Sequence, residues 1–184
     1  QACGPFPSHQ DSPYSLPFED GTSVLLGQSN CSGEGHSGFW RYGYDFWVPV
    51  GTKVLAAREG VVGWSWGECD DEDRTCTNLI TLIHIDGQVS AYTHLTRHGA
   101  LVRPGQSVYR GQLIGLTGYS GDSGGTPHLH FSVHPCNQLP GTPTPGACHT
   151  LPTSFRDVPS NSSVGLAPGR LYQAGQGRME PIPD

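Results

Sequence analysis

Apolar residues along the middle of the chain come in short runs, each closed by glycine, proline or a polar pair. At 53–57 and 61–66 two such runs flank Arg58-Glu59-Gly60, a pattern that predicts a hairpin. The runs at 79–85 and 88–92 flank Asp86-Gly87, a dipeptide suited to tight antiparallel reversals because it tolerates positive φ. Val102-Arg103-Pro104-Gly105 and Tyr109-Arg110-Gly111 punctuate the next strands, the last of which is expected at 112–116. A Gly/Ser loop at 118–126 then feeds a strand at 128–134. No segment sustains a 3.6-residue period, so little helix is expected.

The ends differ from the middle. Residues 1–30 are rich in Pro, Ser and Gly and read as an irregular N-terminal arm tied down by Cys3. Residues 31–135 hold nearly all the β pattern. From 136 to 184 Pro, Gly and Thr return as an extension packed on the core, with an edge strand expected at 151–155 and a tail on the surface. The expected fold class is all-β: one compact antiparallel sheet domain with a loop-walled groove and disulfide-stapled extensions.

Composition narrows the function. Gly (26) and Pro (16) are abundant, but only 14% of the 184 residues are charged, which does not fit a disordered chain. No apolar run approaches the roughly 18 residues of a membrane span. A net charge of −6 without a basic stripe excludes a nucleic-acid partner, and a monomer is expected. The acidic run Glu68, Asp70, Asp71, Glu72 and Asp73 lacks EF-hand spacing and reads as a solvated loop. The cysteines form no C-x-x-C pair, and pairing of sequence neighbours suggests Cys3–Cys31, Cys69–Cys76 and Cys136–Cys148. Disulfides imply an oxidising compartment. With Gln1 first and no apolar leader, the chain reads as a mature secreted, extracellular protein.

Two strings compete for the chemistry. Gly121-Asp122-Ser123-Gly124-Gly125 is the setting of the nucleophile in chymotrypsin-like serine proteases. The upstream base it needs, His94, is too close in sequence for a two-barrel architecture, and Asp122 is the one acid between them. The rival is Pro127-His128-Leu129-His130-Phe131. On a strand, its two imidazoles project to one face while Leu129 and Phe131 enter the core. Gly35-His36-Ser37-Gly38 and Tyr44-Asp45-Phe46 add a third histidine and a carboxylate. Asp45, set between aromatics, needs a cation or strong donors.

These segments, with Pro49-x-Gly51-Thr52 and Tyr92-Thr93-His94-Leu95, resemble the lysostaphin/LytM-type zinc endopeptidases, which are peptidoglycan hydrolases. Gly60-x-Val62, Val102-x-Pro104-Gly105-Gln106 and Gly111-Gln112-Leu113-Ile114-Gly115 match the pattern between the motifs, so the resemblance covers roughly 35–134. It implies one Zn²⁺ per chain held by His36, Asp45 and His130, with His94 and His128 as catalytic residues. The implied activity is secreted zinc metallo-endopeptidase action on the cross-bridge or stem peptides of peptidoglycan.

One departure stands out. The family places its first histidine four residues before the aspartate, where this chain has Arg41, which cannot ligate zinc. His36 stands nine before Asp45, so an insertion at about 39–42 must bulge for it to reach the metal. The rival readings are a LytM-like binding or regulatory module that retains zinc without turnover, and the serine protease. Tyr119 is a candidate groove residue, as is His84 on its hairpin strand. His9, His98, His134 and His149 are expected to be solvated. Trp40, Trp47, Trp64 and Trp66 are expected to pack, with Trp40 or Trp47 as a possible groove wall.

Overall fold

A computed structural model describes residues 3–33, 35–137 and 148–175. Eleven strands run through it: β1 Ser23–Gln28, β2 Tyr44–Trp47, β3 Lys53–Leu55, β4 Gly60–Trp66, β5 Leu79–Ile83, β6 Val89–Thr93, β7 Leu95–Ala100, β8 Ser107–Val108, β9 Leu113–Thr117, β10 Leu129–His134 and β11 Leu171–Gln173. Helix among the described residues is confined to two single 3-10 turns, His9–Asp11 and Gly38–Trp40.

Eight strands form one sheet in the order β11-β1-β2-β10-β6-β5-β4-β8, and β3-β9-β7 form a second. All of these pairings are antiparallel. Alternation fixes what each face carries. On the large sheet, Tyr44, Phe46, Phe131, Tyr92, Ile80 and Leu82 point inward and pack with Val54, Leu95 and Ile114 of the small sheet. The opposite face of the same strands carries Asp45, His130 and Thr93. The core thus fixes the register, because a one-residue slip would exchange these two sets.

The Asp86-Gly87 reversal joins β5 to β6, with Gly87 at φ +82°. The hairpin expected across 58–60 does not form. β3 pairs with β9, whereas β4 pairs with β5 and β8. Between them Ala56 and Ala57 are buried as the chain changes sheets, with Ala56 N–H donating to the Gln112 carbonyl and Ala57 N–H to the Tyr92 hydroxyl.

The arm at 1–30 is not irregular throughout. Its residues Ser23–Gln28 form β1, and Tyr14, Leu16 and Phe18 are buried in the core cluster. The tail is not merely superficial, since β11 closes the sheet edge against β1. Residues 151–155 form no strand. Side chains take their carbonyls instead: Tyr44 Oη donates to Thr153 and Ser12 Oγ to Ser154, each at 2.5 Å, while Phe155 fills the space among Tyr44, Phe46 and Phe131. The remainder of the C-terminal extension, 138–147 and 176–184, lies outside the described residues.

All six cysteines pair as the sequence order suggests, Cys3–Cys31, Cys69–Cys76 and Cys136–Cys148. No helix among the described residues is long and apolar enough to cross a membrane. Trp47, Trp64 and Trp66 were expected to pack but are 49%, 51% and 53% exposed, too much surface for core residues.

Candidate metal centre

Directly paired residues of an antiparallel sheet share a face. The registers of five consecutive pairings place Gln28, Asp45, His130, Thr93, Leu79 and Trp66 in a single row across β1, β2, β10, β6, β5 and β4. Asp45 and His130 sit near one end of this row, buried, at the base of a cleft of about 560 Å³.

Asp45 Oδ1 is the focus. His130 Nδ1 lies 2.7 Å from it, His36 Nε2 3.1 Å and His128 Nε2 3.7 Å. Burial raises a carboxyl pKa, but the His130 ring, facing Asp45 through Nδ1, outweighs it and holds Asp45 well below the usual carboxylate range.

His36 reaches this point because the chain bulges before β2. Gly33 and Gly35 adopt φ of +90° and +77°, and the 3-10 turn Gly38–Trp40 takes up the extra length ahead of Asp45. The His36 Nδ1 lies 2.8 Å from the Ser29 carbonyl, which can only accept, so the proton sits on Nδ1 and Nε2 keeps its lone pair. Arg41 faces elsewhere, its guanidinium over the Tyr42 ring at 5.6 Å. Gly43 is a residue the motifs do not flag. A Cβ there would sit 2.5 Å from His130 Cε1 and 3.3 Å from His36 Cε1, so only glycine leaves both rings in place.

The donor atoms of His36, Asp45 and His130 all lie within 4.8 Å of one another. Tetrahedral zinc at the usual N and O distances asks for donors about 3.3 Å apart, so the set fits a zinc ion. The His36 Nε2 is buried without a hydrogen bond in the correct geometry, an expense that a cation beside Asp45 removes.

His94 and His128 stand beside this cluster, ring centroids 4.7 Å apart. Each Nδ1 faces a carbonyl: Ser120 at 2.7 Å for His94, and Thr126 at 2.8 Å for His128. Both Nε2 atoms are therefore unprotonated when the rings are neutral. Burial, reinforced by the His128 and His130 rings, pushes His94 down to about 3, and burial also lowers His128.

The acidic run is a solvated loop as expected, exposed at Glu68, Asp70, Glu72 and Asp73 and half-buried at Asp71, and it also braces this wall. Thr96 Oγ1 donates to Asp71 at 2.7 Å, Tyr119 Oη to Glu72 at 2.8 Å and Arg97 to Asp70 at 2.7 Å. Tyr119 is thereby turned to the acidic loop, and Asp122, Ser123 and Gly124 line the cleft instead. Ser123 Oγ donates to the Tyr119 carbonyl at 2.6 Å and accepts from Gly125 N–H, so it is held by its own loop and not by a histidine. Trp40 forms a cleft wall, edge-on to His130 at 5.2 Å. His84 is buried away from the cleft against the Glu59 carbonyl, and His134, expected to be solvated, is fully buried on the Cys148 carbonyl. A second cleft of about 690 Å³, between Glu19, Lys53, Arg110 and Arg156, contains no histidine.

The chain is 36% identical over 91 residues to the peptidoglycan DD-endopeptidase ShyA of Vibrio cholerae, covering 50% of this chain and 19% of that protein. It is 38% identical over 101 residues to lysostaphin of Staphylococcus simulans, covering 53% and 18%. The match thus spans about a fifth of the length of these relatives. The solved structure of S. simulans lysostaphin superposes with a TM-score of 0.51 at 28% identity, over 70% of this chain and 47% of that one. A mutant catalytic domain of the prophage-encoded M23 protein EnpA from Enterococcus faecalis shares the fold, with a TM-score of 0.53 at 20% identity over 78% and 96%. Residues 40–142, which hold Asp45, His94, His128 and His130, match the description Peptidase family M23, and the chain belongs to that family.

Proposed function

We propose that this chain is a secreted zinc endopeptidase that hydrolyses peptide bonds in bacterial peptidoglycan. One observation carries the reading: a buried His36, Asp45 and His130 donor set faces a pair of neutral imidazoles whose bare Nε2 atoms share its cleft. His36, Asp45 and His130 would hold one zinc, which when bound supplies a Lewis acid and a water acidic enough to react at neutral pH. His128 Nε2, 3.7 Å from Asp45 Oδ1, is placed to take up a proton from the attacking water and return it to the leaving amine. His94, whose Nε2 is likewise bare, stands beside it as a second proton acceptor in the cleft. The Ser120 and Thr126 carbonyls keep both rings in the tautomer this requires.

The name of ShyA, a peptidoglycan DD-endopeptidase, points to cell-wall peptides, and a cleft lined in part by Gly35 and Gly124 suits residues with small side chains. The test is digestion of purified peptidoglycan at neutral pH. New free amino groups, no new reducing ends and complete loss of activity with a zinc chelator are expected. Release of reducing ends, or full activity in chelator, would overturn the proposal.

A further inference from the structure

The row that carries Asp45 and His130 does not end at the cleft. It continues through Thr93 and Leu79 to Trp66, three strands from His130. At about 4.8 Å per strand step, Trp66 lies about 14 Å from the metal centre, the length of about four residues of extended peptide.

This row is bounded on both sides. The neighbouring row on the same face, Ser132, Ala91 and Thr81, is covered, each residue being 1% exposed or less. Asn137 closes that side, accepting from Thr81 Oγ1 at 2.9 Å and standing 2.7 Å from where a Cβ on Gly63 would be. The other side is closed by the glycine-rich loop, with Ser123 and Gly124 in the cleft wall, and by the Cys69–Cys76 loop hydrogen-bonded to it through Gly121 N–H and the Asp73 carbonyl. Between these walls Leu79 is partly exposed, and Trp66 shows 53% of its surface. Half an indole at the end of such a floor is an exposed apolar face aligned in register with the site.

We propose that Trp66 forms a distal substrate subsite, on which peptide planes about four residues from the scissile bond stack as an extended chain crosses the sheet along this row. The proposal rests on the endopeptidase reading and names how that site would hold its substrate. An uncharged flat face selects for backbone and small side chains, and contributes binding rather than chemistry.

The test compares Trp66→Ala and Trp66→Phe with Tyr109→Ala, an 82% exposed aromatic remote from the row. Substrates are purified peptidoglycan and a soluble peptide of the same linkage trimmed to two residues on each side of the cut. Trp66→Ala should raise the apparent KM on the polymer about 3- to 10-fold with kcat unchanged, and leave the short peptide unaffected. Trp66→Phe should recover most of the loss. An equal effect on both substrates, or none, would overturn the subsite. Cosedimentation with peptidoglycan in a His128→Ala background gives a readout free of turnover. There Trp66→Ala should bind several-fold more weakly than Tyr109→Ala, and equal binding would overturn the subsite. Absence of cleavage by the wild-type protein would instead count against the endopeptidase reading.

Discussion

His94 Nδ1–H donates to the carbonyl of Ser120 at 2.7 Å, across 26 positions of sequence. Both partners are clamped by Asn78, which is fully buried. The Asn78 side chain donates to the carbonyls of Leu95 (3.1 Å) and Cys69 (2.8 Å), and its backbone N–H donates to Ser120 Oγ (3.1 Å). Ser120 Oγ in turn donates to the Leu95 carbonyl at 2.7 Å. His94 needs such support, because its φ of +64° is uncommon for a residue with a Cβ.

Asn78→Ala should therefore lower kcat about tenfold or more, with KM and bound zinc unchanged, when assayed well below its melting temperature. Stability should fall by about 1–3 kcal/mol, because the Cys69 carbonyl loses its donor and the Cys69 N–H its acceptor. A melting shift with no change in kcat would reduce Asn78 to a structural role.

Metal binding separates the ligands from their neighbours. Elemental analysis should give one zinc per chain, and none after replacement of His36, Asp45 or His130 by Ala. Arg41→Ala should keep the metal, since Arg41 lies over Tyr42 and not beside Asp45. Loss of zinc in that variant alone would mean that the bulge before β2 has been misread.

How far these features can be read from sequence depends on how local their cause is. Asp86-Gly87 is a local instruction, and β5 and β6 pair around it. The spacing of His128 and His130 is equally local, because alternation along one strand sets their common face. The hairpin expected across 58–60 failed because burial of Ala56 and Ala57 between sheets depends on partners far along the chain, Gln112 and Tyr92. β1 and β11 were missed for the same reason: Ser23–Gln28 becomes a strand by pairing with β2 and with Leu171–Gln173, more than a hundred residues later. His134 shows the limit of treating a histidine alone. Its strand position placed it on the His130 face, but Phe39 and Trp40 cover it there, and nothing nearby in sequence announces them.

Gly43 offers a test of packing around the metal. Gly43→Ala puts a methyl group 2.5 Å from His130 Cε1, so the ring must turn or the loop must shift. Zinc affinity, measured by competition with a chromogenic chelator, should weaken about tenfold or more while the circular dichroism spectrum stays unchanged. Undiminished affinity would show that the His130 ring yields without consequence for the site.

His134 makes stability depend on pH. Its Nδ1–H donates to the Cys148 carbonyl at 2.8 Å, its Nε2 accepts from Ser132 Oγ at 2.9 Å, and burial pushes its pKa down to about 4. The unfolded chain returns it to the ordinary value of about 6.5. Between these values the unfolded state takes up a proton that the folded state refuses. The contribution of His134 is thus full above about pH 6.5 and is lost progressively as the pH falls towards 4, by about 2 kcal/mol at pH 5. Asn in its place offers an N–H near the Nδ1 position and does not titrate. Urea unfolding at pH 8 and pH 5, with chelator present so that metal release does not enter, should show a smaller loss for His134→Asn than for wild type by about that amount. Parallel losses in the two proteins would mean that His134 is protonated in the fold, or that another buried group sets the acid sensitivity.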